Sequence, residues 1–136
     1  MDTELAVKKI QHLMTPALRK KLPKKVAVVL IDAKKSATLN AVYRGKRKAT
    51  NVLSFCYDDT YGEILICASV VRREAKKQGN TQAFQMTWII AHGMLHLAGV
   101  HHEASRVIAE KVERIERRIL LAFLERNEKI KNQNVK

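Results

Sequence analysis

Several things are scarce in this chain, and each scarcity excludes something. There are two cysteines, Cys56 and Cys67, too few for a dense disulfide framework and not spaced as a CxxC pair. A reduced, cytoplasmic setting is the simplest reading. No apolar stretch approaches the ~20 residues that a transmembrane helix needs, so no membrane contact is expected. Nor is a secretory leader expected: Asp2 and Glu4 precede Lys8 and Lys9, and no apolar run of about 7–15 residues follows. Aromatic residues make up only 5%, which argues against a base-stacking platform of the single-strand-binding type. Acidic residues are rare at the start, with three among residues 1–50 against 13 basic ones.

What remains is 136 residues that are 46% apolar, enough for one packed domain over 1–136 and too few for two well-cored ones. A polar tail is expected from about residue 127. The net charge is +13 and the pI near 10.1. The excess is uneven: +10 over residues 1–50, zero over 51–102 and +3 over 103–136. Such a field draws phosphate-rich partners through counterion release, although solubility alone also favours net charge.

The pattern of elements predicts an α+β fold, a small mixed sheet covered by helices. Leu5–Leu22 is helical with an interruption at Pro16. The run Val26–Ile31 fits a buried strand. Lys34–Val42 suits a short helix packing through Ala37, Leu39 and Val42. Strands over Asn51–Tyr57 and Glu63–Ala68 flank a turn at Asp58–Gly62. Ser69 can cap a helix that stops at Gly79, and Asn80 or Thr81 can cap the next. That next helix holds Trp88, Ile89, Ile90, Met94, Leu95 and Leu97, is apolar on several faces, and is expected to be central. A last helix from about Glu103 carries the stripe Ile108, Val112, Ile115, Ile119 and Phe123, with a tail after Glu125 expected to fray.

Four of the five histidines, His92, His96, His101 and His102, fall within eleven residues. His92 and His96 are four apart on a predicted helix, one turn apart on one face. Gly99 permits a sharp exit that can return a third imidazole to the pair. Three neutral imidazoles with an open position are what a catalytic zinc takes, though nickel, copper or iron also occupy such sites. The spacing HxxxHxxGxxH is the metzincin metal pattern without its glutamate, because Gly93 stands where those proteases carry the general base. The spacing favours His102 as third ligand. His101 stays open as an alternative ligand, a hydrogen-bonding neighbour of the site, or an exposed side chain.

At these residues the sequence resembles the YbeY family of bacterial metal-dependent endoribonucleases. Its signature HGxLHLxGYDH is matched by His92-Gly93-Met94-Leu95-His96-Leu97-Ala98-Gly99-Val100-His101-His102. Tyr43-Arg44-Gly45-Lys46 and Thr50-Asn51-Val52-Leu53-Ser54-Phe55 resemble YRGxxxxTNVLSF, and Gly62–Cys67 is similar to GDIxIC. His101 stands where the family usually has aspartate. The resemblance implies a zinc-type divalent ion held by His92, His96 and His102, and a functional arginine at Arg44. It also implies action on ribosomal RNA, especially the 3′ end of small-subunit RNA, and a part in ribosome quality control. Lys46, Arg47 and Lys48, beside Arg44, can track the phosphates of a single strand.

Two other functions fit parts of the pattern. One is a metallohydrolase of peptides or small substrates, against which Gly93 and the net charge both count. The other is an RNA- or ribosome-binding protein whose metal is structural. Oligomeric state is not legible in the sequence.

Overall fold

The computed structural model describes residues 1–100 and 106–134. Among the described residues the elements run α1 (Thr3–Leu13), α2 (Pro16–Arg19), β1 (Lys25–Ile31), α3 (Ala33–Arg44), β2 (Val52–Cys56), β3 (Tyr61–Cys67), α4 (Ala68–Gln78), α5 (Gln82–Leu97) and α6 (Arg106–Asn134). The strands form one mixed sheet ordered β1-β3-β2. β1 runs parallel to β3, with Val28 opposite Ile64, and β2 runs antiparallel to it, with Ser54 opposite Ile64. This is the α+β arrangement that the order of elements predicts.

Pro16 divides the first helical segment rather than bending it. Thr15 accepts a hydrogen bond from Leu18 N at 3.3 Å, and Pro16 opens α2 at a position where its missing N–H costs nothing. The run Val26–Ile31 is not a buried strand but the edge strand β1. Val26 and Val28 pack against the core while Leu30 is 57% exposed. A continuous apolar run does not say which strand is central. Here β3 is flanked on both sides, and its Ile64, Ile66 and Cys67 are fully buried.

Two further expectations change. Ser69 does not cap α4. The helix begins at Ala68, straight out of β3, because Cys67 is still paired with Ile31 in the sheet. Thr81 caps α5, accepting from Phe84 N at 3.1 Å, and Asn80 instead donates to Gln85 at 2.9 Å.

The helix α5 occupies the centre. Its Ile90, Ala91, Met94 and Leu95 are fully buried among α1, α6 and the inner face of the sheet. In α6 the buried positions are Val112, Glu116, Ile119, Leu120 and Phe123, with Ile115 only partly covered. The expected start of this helix at Glu103 and the side chain of Ile108 lie outside the described residues. Its backbone runs to Asn134, past the expected fraying point at Glu125, and no glycine or proline follows Gly99 to stop it.

The helix α3 is held differently from the expectation. Val42 is 70% exposed, and the buried side chains are the polar Ser36 and Asn40. Ser36 Oγ donates to Thr50 O and accepts from Thr50 N, both at 2.9 Å, while Asn40 Nδ2 donates to Lys48 O at 2.8 Å. These bonds tie the loop after Arg44 to the helix before it. Gly45, at φ 70°, makes the reversal between them, a left-handed geometry that only glycine adopts cheaply. No helix among the described residues is long and apolar enough to cross a membrane.

Candidate active site

His92 and His96 lie on the last turns of α5, both partly buried, with ring centroids 4.5 Å apart. The four-residue spacing thus gathers two imidazoles as expected. The structure adds a residue that the sequence did not single out. Glu116 reaches across from α6 and places Oε1 2.6 Å from His92 Nδ1. Its other oxygen accepts from Trp88 Nε1 at 3.1 Å. An ionised carboxylate can only accept, so a Glu116 carboxylate assigns the His92 proton in this contact to Nδ1 and leaves Nε2 to face away from it. Glu116 is 6% exposed, so it is a buried carboxylate held by two ring N–H donors. The signal for it was present: an acidic residue four after Val112 and three before Ile119, inside an apolar stripe.

Gly93 has a packing reason. A Cβ built there would stand 2.8 Å from Ile64 Cγ2 and 3.1 Å from both Ile64 Cδ1 and Ser54 Oγ. The helix therefore rests directly on the sheet at the position next to His92, and no side chain fits there. Ser54 Oγ donates to Gly93 O at 3.4 Å, adding a bond from β2 to the same turn.

The third histidine of the motif, His102, and its neighbour His101 lie outside the described residues. Among the described residues no group of three His, Cys, Asp or Glu side chains is arranged so that it could hold a metal ion.

Two cavities adjoin at Asn51 and Glu74, which line both. The inner one, about 340 Å³, is bounded by His92, Trp88, Gln85 and Gln78. The outer one, about 400 Å³, is bounded by Arg44, Lys46, Lys48 and, from α4, Arg73. Arg44 and His92 therefore sit on neighbouring hollows. Of the expected loop cations, Lys46 and Lys48 share the outer cavity with Arg44, whereas Arg47 is exposed and is not among its lining residues. Arg73 is a cation that sequence reasoning missed.

The face of the sheet away from α5 carries an aromatic row despite the low aromatic content. Tyr43 meets Phe55 edge-on at 4.9 Å, and Tyr57 stacks on Tyr61 at 5.8 Å. Glu63 accepts from both tyrosine hydroxyls, at 2.7 and 3.0 Å, which raises the pKa of each above the ordinary tyrosine value. In the turn between β2 and β3, hydrogen bonds from the Thr60 hydroxyl, Thr60 N and Tyr61 N to Asp58 hold its carboxyl below the usual value.

Fold and site together define a class: a small α+β protein whose central helix bears a turn-spaced histidine pair, backed by a carboxylate and flanked by a basic hollow. The chain belongs to the YbeY family. The family model described as Endoribonuclease YbeY matches residues 1–124. The Endoribonuclease YbeY of Herminiimonas arsenicoxydans is 34% identical over 141 aligned positions, covering 90% of each protein. That of Alkalilimnicola ehrlichii is 41% identical over 107 residues, 72% of this chain. Against the Alkalilimnicola, Aromatoleum aromaticum and Methylococcus capsulatus proteins, the match spans 63–65% of the relative's own length. The solution structure of TM1509 from Thermotoga maritima superposes with a TM-score of 0.59 at 26% identity, over 93% of this chain and 89% of that one.

Proposed function

We propose that the chain is a metal-dependent endoribonuclease of the cytoplasm that prefers single-stranded RNA. Its substrate is ribosomal RNA, at the 3′ end of the small-subunit molecule, in rRNA processing and ribosome quality control. A divalent ion of zinc type is held by His92, His96 and His102. The family membership and the names of the relatives support the activity. The observation that carries it to particular residues is the 2.6 Å bond between His92 and Glu116. A carboxylate behind an imidazole fixes the ring and makes its other nitrogen a better ligand. Two imidazoles one turn apart, one of them oriented in this way, are a donor set that suits such an ion.

The ion, when bound, supplies Lewis acidity toward a phosphoryl oxygen. The protein's own groups do the rest of the positioning. Arg44 offers two parallel N–H donors to phosphate oxygens, and Lys46, Lys48 and Arg73 line the same hollow as backbone-holding charges. Gly93 counts against the peptidase alternative, because that position has no base and no room for one.

The test is metal content and cleavage measured together. His96→Ala should lose stoichiometric metal and cleavage of a single-stranded RNA. His102→Ala should do the same, and His101→Ala should retain most of both. Full metal retention by His96→Ala would reject the ligand set. Metal loss from His101→Ala but not from His102→Ala would move the third ligand to His101. Bound metal with no cleavage of any RNA would favour a binding protein with a structural ion.

A further inference from the structure

The inner cavity has a chemistry at odds with the rest of the molecule. The chain carries +13, yet the described residues lining this hollow include no lysine or arginine. They do include Glu74 and Glu113. A phosphate gains nothing there, while the hollow next door, sharing Asn51 and Glu74, is lined by four cations. Two of its wall residues, Gln85 and Trp88, are also fixed in place. Gln85 is 2% exposed, with its Nε2 donating to Gln78 at 3.2 Å and its Oε1 accepting from Asn80 at 2.9 Å. Trp88 is pinned through its N–H to Glu116. A hollow with a held indole wall and carboxylates at its edge suits a planar ring that carries N–H donors at its rim.

We infer that the inner cavity is a base subsite for the RNA strand, taking a nucleobase with an exocyclic amino group while the adjoining phosphate lies in the basic hollow. The inference rests on the endoribonuclease reading for its substrate class. Cytosine, adenine and guanine each present an amino group that a carboxylate can accept from. Uracil presents one N–H between two carbonyls, and a carbonyl facing Glu74 finds no donor there, while at Glu113 the Arg117 guanidinium already occupies Oε1 at 3.3 Å and leaves Oε2 as the acceptor. The subsite therefore selects against uracil, and it does so beside His92, where the cut strand must pass.

Trp88 is the only tryptophan of the chain and walls this cavity, and it also borders a hollow formed with Arg117 and Leu121, from which Glu74 is absent; a response that depends on Glu74 therefore belongs to the inner cavity. The full-length protein, as purified, is titrated with CMP, AMP, GMP, UMP and inorganic phosphate, with excitation on the red edge of the indole band. CMP, AMP and GMP should quench saturably, UMP should bind about tenfold more weakly, and phosphate should leave the emission unchanged. Glu74→Gln combined with Glu113→Gln changes two partly or fully exposed helical side chains, and circular dichroism checks that the fold is kept. In that variant CMP and UMP should bind alike. Absent quenching by every nucleotide, equal affinity of the unaltered protein for CMP and UMP, or a preference that survives both substitutions would overturn the subsite. Equal cleavage of cytidine and uridine oligomers would also overturn it while leaving the endoribonuclease reading intact. Selective quenching without cleavage of any RNA would uphold the subsite and reject the endoribonuclease reading.

Discussion

Glu116 in α6 and His92 in α5 are joined by a 2.6 Å contact between Oε1 and Nδ1, and the same carboxylate holds Trp88 at 3.1 Å. One side chain thereby links two helices, selects a tautomer and orients the wall of a cavity. It is buried, and such a carboxylate costs several kcal/mol of desolvation unless its partners satisfy it. Its partners here are two ring nitrogens, one from His92 and one from Trp88.

Glu116→Gln keeps the size and removes the charge. If the carboxylate orients His92 toward an ion, metal affinity should fall by about 10–100-fold. Competition against a chelator of known affinity measures it. Unchanged affinity would make Glu116 a structural link between α5 and α6 only.

Arg44 sits at the end of α3, which Ser36 and Asn40 tie to the following loop, so its backbone is well defined. A guanidinium can grip phosphate with two parallel bonds and lysine cannot. Arg44→Lys should therefore slow single-turnover cleavage by roughly a hundredfold, or about 3 kcal/mol, while weakening RNA binding much less. Metal content and thermal stability should hold. Near-normal cleavage would reduce Arg44 to one more backbone-holding charge.

The neighbouring cations separate by position. Lys46 and Lys48 line the outer hollow and Arg47 does not. Replacing Lys46 and Lys48 with glutamine should lower the slope of log affinity against log salt by about 1.4, at ~0.7 per phosphate contact on a single strand. Arg47→Gln should change it less. Equal effects of all three would place the RNA elsewhere on the loop.

Asp58 makes the turn between β2 and β3 sensitive to acid. Its carboxyl is held below the ordinary value chiefly by the Thr60 hydroxyl, so the ionised form is favoured in the folded state. That contribution is fully present above the pKa of the unfolded chain and is lost as pH falls through the lower folded value. Asp58→Ala should thus lose stability near neutrality and show a shallower decline toward acid pH. Parallel denaturation curves for the two proteins at every pH would show that the turn does not depend on this charge.

Much of this was legible because spacing and caps are local. The histidine pair needed only a helix and a four-residue step. Gly45, Gly79 and Gly99 all take positive φ, close to the ends of α3, α4 and α5. What escaped was non-local. The rank of β1 as an edge strand depends on which strands flank it, and an apolar run looks the same in either place. The helix α3 was expected to pack through Val42, yet it docks through Ser36 and Asn40, whose partners are backbone atoms up to fourteen residues away. Glu116 was in plain view inside an apolar stripe. Only the crossing of α6 over α5 reveals what a carboxylate finds there.

Gly93 yields the most direct test of how the site is built. A methyl group at residue 93 would meet Ile64 Cγ2 at 2.8 Å. Ile64 is fully buried and β-branched, so it has little room to move aside. Relief requires α5 to lift from β3, which would shift His92 and His96 together. Gly93→Ala should therefore cost about 1–3 kcal/mol in chemical denaturation. It should also weaken metal binding, although alanine is the better helix former. Gly93→Glu, which restores the metzincin sequence, should be less stable still and should gain no peptidase activity, because the added carboxylate would point into the sheet. A stable Gly93→Glu protein that binds metal normally would show that the helix can stand off the sheet, and that glycine at this position serves something other than close packing.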